Sequence, residues 1–287
     1  MIVPAYNEEE TLALTCERLS AVCADLRRQC AIAKTEVLFV DDGSNDGSAE
    51  YLETLPSANP RIRLIRFRRN FGQTAAMAAG FDYATGSILV PIDADLQNDP
   101  RDIPAVLDKL REGYDVVSCW RKERQDPWLT RRLPSRIANG LISRISGVHL
   151  HDYGCTLKGY RREVVEHIRL YGEMHRFIPA YANSVGARII EIPVRHHPRR
   201  FGKTKYGLTR TFKVILDLFT VKFLLSFANK PIYLFGGTGV LLMALSAAVP
   251  AKDALYDWVA RNRKRWFPQP AGLCPLLPPN FASRFLP

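Results

Sequence analysis

Two aspartates spaced two residues apart, Asp93 and Asp95, form the part of the chain best suited to chemistry. They follow the apolar run at 87–92, which predicts a short buried strand. Two carboxylates this close repel each other, and a divalent cation with a preference for oxygen ligands, Mg²⁺ or Mn²⁺, relieves that repulsion. Such a cation could in turn hold a diphosphate. An acidic turn that binds no metal is the alternative interpretation.

A second acidic turn and an N-terminal block support the metal interpretation. Asp41 and Asp42 directly follow the apolar run at 35–40. The run at 2–9 predicts the end of a strand that turns into a helix, and further strands are predicted at 61–67 and 87–92, with helical patterns at 9–30, 46–55, 73–85 and 101–112. This alternation indicates an α/β fold with a mostly parallel, doubly wound sheet. Because parallel strands end at the same edge, we expect the four aspartates to lie together where such sheets bind ligands.

Five blocks, in a consistent order, resemble inverting nucleotide-sugar glycosyltransferases of family 2. They are IVPAYNE at 2–8, VDDGS at 40–44, DADLQ at 93–97, DYGC at 152–155 and RRFGKTKY at 199–206. The closer resemblance is to the polyprenyl-phosphate branch, such as dolichol-phosphate mannosyltransferases and bacterial undecaprenyl-phosphate glucosyltransferases. The resemblance implies an A-type nucleotide-sugar glycosyltransferase fold, with a catalytic domain over residues 1–206.

The resemblance also implies a role for each matching position. The donor-binding residues would be Pro4, Tyr6, Glu8, Asp42, Asp93, Gln97, Arg200 and Lys205, with Lys203 on the same loop as the last two. The metal ligands for Mg²⁺ or Mn²⁺ would be Asp93, Asp95 and Gln97, and the acceptor-phosphate ligands would be Arg121, Arg131 and Arg132. The catalytic set would be Asp95, Asp152, Arg121 and Arg131.

Several of these positions have plainer interpretations. Pro4 and Tyr6 could simply shape a turn, and Arg131 and Arg132 could lie on a solvated helix face. Asp152 is the carboxylate best placed by resemblance to act as a base, but it could instead only order the loop around it.

Composition and missing motifs exclude other classes. The net charge of +11 suits an anionic membrane surface and phosphate ligands, and no nucleic-acid-binding motif is present. The sequence has neither a Gly-x-Gly-x-x-Gly turn after a strand nor a phosphate-binding loop of the form Gly-x-x-x-x-Gly-Lys-Ser/Thr, which disfavours a dehydrogenase or an ATPase. It has no Cys-x-x-Cys pair, which disfavours a structural zinc site.

The C-terminal part predicts attachment to a membrane. Residues 207–230 predict an amphipathic interfacial helix, and the uncharged run at 231–249 is long enough to cross a hydrocarbon core of about 30 Å. The tail at 250–287 is basic and then rich in proline, and we expect it to be atypical and poorly ordered. The positive-inside rule places the basic catalytic domain on the cytoplasmic side, although a single crossing would then leave the basic residues at 261–265 outside.

These observations predict a membrane-associated, metal-dependent enzyme that transfers a sugar from a UDP- or GDP-linked donor to a polyprenyl phosphate with inversion. Two alternatives remain open. One is a family 2 transferase with a sugar or protein hydroxyl as acceptor. The other is a non-catalytic membrane scaffold that keeps the fold.

Overall fold

Short apolar strands alternate with amphipathic helices through the first two thirds of the chain. The computed structural model describes residues 1–266 apart from positions 31, 33, 123–138, 141, 145, 167, 171, 199–207 and 228–229. The strands are β1 (Ile2–Ala5), β2 (Val37–Asp41), β3 (Ile62–Arg66), β4 (Ile88–Leu89), β5 (Val116–Trp120), β6 (Lys158–Arg161) and β7 (Ile189–Pro193). The helices are α1 (Glu9–Gln29), α2 (Ser48–Ala58), α3 (Gln73–Tyr83), α4 (Ile103–Arg111), α5 (Arg162–Val165), α6 (Ile178–Ser184), α7 (Leu208–Phe227) and α8 (Ile232–Trp266).

The strands form two hydrogen-bonded groups that meet at β1. The first group is parallel, in the order β1-β2-β3, and the second has the order β4-β6-β5-β7. Within the second group, β6 runs antiparallel to β4 and β5, whereas β5 and β7 are parallel. The expectation of a mostly parallel sheet with helices is therefore confirmed, with β6 as its antiparallel member.

The segment at 87–92 differs from the single parallel strand that the sequence predicts. Its first part, β4, pairs antiparallel with β6. Its second part pairs with β1, because Ile2 N donates to Val90 O at 2.9 Å and Ile92 N donates to Ile2 O at 3.0 Å. The apolar run correctly indicates that this segment is buried. In the structure, however, the segment pairs with β6 and with β1, and it therefore joins the two groups of strands. Asp93 and Asp95 emerge directly from that junction.

The core explains why these elements form. All five residues of β2 are buried, as expected for a central strand covered on both faces. The helix α1 buries one stripe against the sheet, which includes Leu12, Leu19 and Leu26 and the thiols of Cys16 and Cys23. The seven-residue spacing of these cysteines therefore reflects packing.

The C-terminal residues divide from the rest at Phe227, so that Met1–Ser226 and Phe227–Pro287 are two compact units. In the first unit, α7 buries Leu218 and Val221 in a cluster with Phe177, while Leu216 and Phe219 are exposed. In the second unit, Ile232–Asn262 is long and apolar enough to cross a membrane, by length and composition only.

The last helix extends beyond the apolar run at 231–249 into the tail that we expected to be atypical and poorly ordered. It continues through Pro250 to Trp266, while the predicted domain boundaries stay a prediction. Residues 251–266 contain several Ala, Leu, Lys and Arg residues, which are strong helix formers and favour continuation of the helix. The proline-rich part at 267–287 lies outside the described residues.

Candidate active site

The predicted acidic edge of the sheet is present. Ala5 of β1 pairs in register with Asp41 of β2, and Asp42 N donates to Ala5 O at 2.9 Å. The run at 90–92 lies on the other side of β1 and delivers Asp93 to the same edge. The carboxyl ends of three neighbouring strand segments therefore carry the acidic blocks, as the alternation of strands and helices predicts.

The N-terminal block is fixed by the second block. Asn7 adopts a left-handed backbone with φ of 52°, and its N–H donates to Ser44 Oγ at 3.0 Å. Asn7 Oδ1 accepts from Asn45 N at 2.9 Å, and Glu8 N donates to Ser48 Oγ at 2.9 Å. A left-handed non-glycine residue costs free energy and persists only where such contacts impose it. The turn that carries Tyr6 and Glu8 is thus built onto the end of β2, while a nucleotide-binding role for these two residues and for Pro4 stays a prediction.

Asp42 has a structural role that the sequence did not indicate. Its carboxylate accepts three hydrogen bonds, from Asn70 Nδ2 at 2.9 Å, Phe71 N at 2.7 Å and Gly72 N at 2.9 Å. Burial raises the pKa of Asp42 above its ordinary value and outweighs the opposing effect of the two backbone N–H groups. The side chain therefore holds the turn that starts α3, and its predicted contact with a nucleotide remains a prediction.

Asp93 is held by two uncharged donors. Its Oδ1 accepts from Gln73 Nε2 at 2.8 Å, and its Oδ2 accepts from Thr156 Oγ1 at 2.7 Å. Burial, followed by the neighbouring negative charges of Asp95 and Glu8, raises the pKa of Asp93 to about 6. The position thus has an excess of negative charge that a cation would relieve.

The turn after Asp93 is locally fixed. Asp95 Oδ1 accepts from Gln97 N at 3.1 Å, and Leu96 adopts φ of 59°. Thr15 Oγ1, on α1, donates to the carbonyl of Ala94 at 3.0 Å. Side-chain capping of this kind and a strained backbone at one residue are typical of sites that must hold a defined geometry. Gln97 thus contacts Asp95 through its backbone N–H.

The donor set fits a divalent metal that is shared with a substrate. In the part of the chain that the structure describes, no group of three or more His, Cys, Asp or Glu side chains is arranged as a metal cluster. Mg²⁺ is commonly held by one or two carboxylates, with substrate phosphates and water as the remaining ligands. The adjacent Asp93 and Asp95 meet that requirement. A closed structural metal site would need more protein ligands.

Arg121 and Asp152 form a tight pair beside this turn. Arg121 Nε donates to Asp152 Oδ2 at 2.6 Å and Arg121 Nη2 donates to Asp152 Oδ1 at 2.9 Å, which is a bidentate arrangement. Gly154 N also donates to Asp152 Oδ1, at 3.0 Å. The Asp152 side chain is 2% exposed, whereas that of Arg121 is 16% exposed. The positive charge of Arg121 acts on Asp93 and opposes the rise of its pKa, so the pair lies within electrostatic range of the metal turn.

The loop that carries Asp152 is held from two sides by residues that no motif indicates. Glu191 on β7 accepts from His151 N at 2.9 Å and from Asp152 N at 3.1 Å. The fully buried ammonium of Lys158 donates to the carbonyls of Tyr153 and Cys155, and burial lowers the pKa of Lys158. An isolated glutamate in a strand and a lysine at a strand start give no sequence signal, because only the tertiary pairing reveals their partners.

The remaining predicted residues lie outside the described residues. These are Arg131 and Arg132 of the acceptor set, and Arg200, Lys203 and Lys205 of the basic loop. The described segment before that loop does reach the metal turn, because His197 N donates to Gln97 O at 2.9 Å and Asn98 forms a bridge with His196.

Comparison with known proteins identifies the family. Residues 1–169 match the family model described as glycosyl transferase family 2. The chain belongs to glycosyl transferase family 2. It is therefore a glycosyltransferase, as the five sequence blocks predict.

Two curated relatives of this family 2 chain have names that include a polyprenyl phosphate. The dodecaprenyl-phosphate galacturonate synthase of Rhizobium johnstonii is 43% identical over 253 residues, which cover 87% of this chain and 73% of the relative. The undecaprenyl-phosphate 4-deoxy-4-formamido-L-arabinose transferase of Edwardsiella ictaluri is 41% identical over 221 residues, which cover 77% of this chain and 66% of the relative.

Solved structures show the same fold at low identity. Glucosyl-3-phosphoglycerate synthase from Mycobacterium tuberculosis, in complex with Mn²⁺, UDP and phosphoglyceric acid, aligns with a TM-score of 0.56 at 18% identity and covers 77% of each chain. A mannosyltransferase from Pyrobaculum calidifontis, in complex with GDP-Man and Mn²⁺, aligns with a TM-score of 0.50 at 21% identity and covers 91% of this chain and 79% of its own. These alignments support the A-type glycosyltransferase architecture.

Proposed function

We propose that this family 2 glycosyltransferase moves a sugar from a nucleotide diphosphate donor to the phosphate of a polyprenyl lipid, with inversion at the anomeric carbon. The bond between the anomeric carbon and the donor diphosphate breaks. A bond forms between that carbon and an oxygen of the lipid phosphate. The products are a nucleoside diphosphate and a polyprenyl phosphosugar, and one displacement of this kind inverts the configuration.

The donor half of the proposal rests on the acidic edge. Asp93 and Asp95 are the residues that would hold Mg²⁺ or Mn²⁺, and the two solved neighbours are complexes with Mn²⁺ and either UDP or GDP-Man. When bound, such an ion would offset the negative charge that grows on the leaving diphosphate. Glu8 and Tyr6 lie on the turn that β2 supports and would line the nucleotide pocket.

The observation that carries the acceptor assignment is the bidentate pairing of Asp152 by Arg121. A hydroxyl acceptor must lose a proton as it attacks, and this requires a positioned carboxylate base. Asp152 is the candidate, but both of its oxygens accept hydrogen bonds from a guanidinium. A phosphate monoester has a second pKa near about 6 and is already anionic at neutral pH, so it needs no strong base. The names of the two curated relatives point to the same acceptor class.

Arg121 would serve this acceptor as a positioned cation. Asp152 fixes its guanidinium plane, and the loop contacts of Glu191 and Lys158 fix Asp152. A planar guanidinium suits phosphate oxygens, and the partial exposure of Arg121 leaves it an accessible side. Arg131 and Arg132 would complete the acceptor site.

The lipid acceptor requires access to a membrane, and the chain has suitable segments. The apolar helix at Ile232–Asn262 would anchor the protein. The exposed Leu216 and Phe219 on α7 would face the interface, with Lys222 close to the lipid headgroups. The basic composition favours an anionic surface, and we place the catalytic domain on the cytoplasmic side.

An acceptor panel tests the proposal. The full-length protein, in vesicles, is given radiolabelled UDP- and GDP-linked sugars and either polyprenyl phosphate, the matching polyprenol, or a soluble sugar. Label in the lipid fraction with the phosphate alone supports the proposal. Transfer to the polyprenol or the sugar at an equal or higher rate supports a hydroxyl acceptor, and absence of transfer with every donor supports a scaffold.

A further inference from the structure

The two donors to Asp93 come from distant parts of the chain and meet at one carboxylate. Gln73 opens α3 and Thr156 precedes β6, which places them 20 and 63 residues from Asp93. Gln73 Nε2 also lies 3.5 Å from Thr156 Oγ1. One donor is committed to each carboxylate oxygen, so rotation of the carboxylate breaks at least one hydrogen bond.

Both donors are neutral, as are those of Asp42, and this distinguishes Asp93 from the buried Asp99 and Asp152. Asp152 is paired with Arg121, and Asp99 accepts from the guanidinium of Arg101. Among the described residues, the hydrogen bonds of Asp93 come from an amide and a hydroxyl. Neutral donors fix the orientation of a carboxylate without cancelling its charge. Each carboxylate oxygen also keeps a second lone pair for a further ligand.

The position of Gln73 is itself fixed by an acidic block. Asp42 accepts from Asn70, Phe71 and Gly72, the three residues that precede Gln73. Gly72 has φ of 93°, a backbone conformation that favours glycine and allows the chain to turn into α3. The contacts of Asp42, at the end of β2, therefore fix the residue at which α3 begins. The start of α3 in turn positions Gln73, which donates to Asp93.

We propose that Gln73 and Thr156 are positioning residues that orient the Asp93 carboxylate for a divalent cation. This inference rests on the proposed metal-dependent function. Outer hydrogen-bond partners of metal ligands typically contribute 10- to 100-fold to metal affinity, because they remove the cost of ordering the ligand. Asp93 must sit beside the like charge of Asp95, so without these donors it would turn away.

Mn²⁺ binding to the full-length protein, followed by electron paramagnetic resonance, tests the inference without relying on turnover. The variants are Gln73→Met and Thr156→Val, which keep side-chain size and remove one donor each. Both should weaken Mn²⁺ binding by about 10- to 100-fold. Thr156→Ser restores the hydroxyl and should bind Mn²⁺ close to wild type. The matched control is Thr54→Val, which removes a threonine hydroxyl that donates to Tyr51 O within α2.

Thermal unfolding of each variant separates positioning from folding. The inference requires weaker Mn²⁺ binding by variants whose unfolding temperature matches that of Thr54→Val. Wild-type affinity in both Gln73→Met and Thr156→Val would overturn it and leave the metal proposal standing. A Thr156→Ser variant as weak as Thr156→Val would also overturn it. If the wild-type protein binds no Mn²⁺, in the presence or absence of UDP, the metal-dependent function itself fails and the inference fails with it.

Discussion

We expect that replacement of Asp152 by Asn primarily lowers the free energy of unfolding and only secondarily lowers the rate of sugar transfer. The carboxylate accepts from Arg121 Nε and Nη2 and from Gly154 N, and it is 2% exposed. Asn keeps the size but loses the charge, and its amide group must face a donor. Removal of one partner of a buried ion pair lowers the free energy of unfolding by about 3–5 kcal/mol. Because Arg121 is partly exposed, we expect a loss at the lower end of this range, about 3 kcal/mol. For a unit of this size, the unfolding temperature should fall by about 6–12 °C.

A double-mutant cycle with Asp152→Asn and Arg121→Gln measures the free energy of interaction between the two side chains. The double variant leaves no uncompensated charge, so its loss of stability should be smaller than the sum of the single losses. The unfolding free energies of all four proteins, from chemical denaturation, give the coupling. An additive result would show that the bidentate pair does not hold the loop.

Initial rates against pH, with polyprenyl phosphate as acceptor, decide the chemical role. If Asp152 only positions Arg121, Asp152→Asn lowers turnover less than Asp95→Ala does, and the shape of the pH profile stays the same. If Asp152→Asn is as inactive as Asp95→Ala while it still binds donor and metal, Asp152 is an essential base. The hydroxyl-acceptor alternative would then be preferred.

Three further predictions follow from other parts of the structure. Burial alone would raise the pKa of Asp99, but hydrogen bonds from Arg101 and His197 outweigh burial and lower it. The ionised carboxylate therefore contributes stability above about pH 4, the value for an unfolded chain, and that stability is lost as the pH falls further. Asp99→Asn should flatten the dependence of unfolding free energy on pH below about 4, and a slope equal to that of the wild type would contradict this. Glu191→Gln removes the charge of the acceptor for His151 N and Asp152 N, so it should lower the unfolding free energy, measured by urea denaturation, by about 2 kcal/mol. An unchanged unfolding free energy would mean that β7 does not hold the loop. Removal of residues 231–287 should sharply weaken sedimentation with vesicles in high salt and leave nucleotide binding intact, whereas a truncated protein that still sediments fully would place the anchor elsewhere.

The layout of the site could be predicted from sequence because it depends on periodic patterns. Apolar runs at 35–40 and 87–92, each followed by aspartates, place Asp42 and Asp93 at strand ends, and alternation with helices makes those ends share one edge. The antiparallel pairing of β4 with β6 could not be predicted in this way. Burial of a run does not specify its partner strand, and β6 lies about seventy residues further along the chain.

The contacts that hold the site could not be predicted for a related reason. Gln73, Thr156 and Glu191 act through one hydrogen bond or a few hydrogen bonds across long sequence separations. A neutral glutamine at a helix start and a threonine in a loop have no spacing that indicates an aspartate partner. The engagement of Asp42 by the turn at 70–72 is equally invisible in sequence, since it uses backbone N–H groups that every residue except proline possesses.

The central claim is that Asp93 and Asp95 support metal-dependent sugar transfer to a polyprenyl phosphate. The most direct test measures lipid-bound label from a radiolabelled nucleotide sugar, for the wild type and Asp95→Ala, with Mn²⁺ or with EDTA. We predict transfer by the wild type with Mn²⁺, its loss in EDTA, and no transfer by an Asp95→Ala variant that remains folded. Transfer by Asp95→Ala at the wild-type rate, or full wild-type activity in EDTA, would contradict the account.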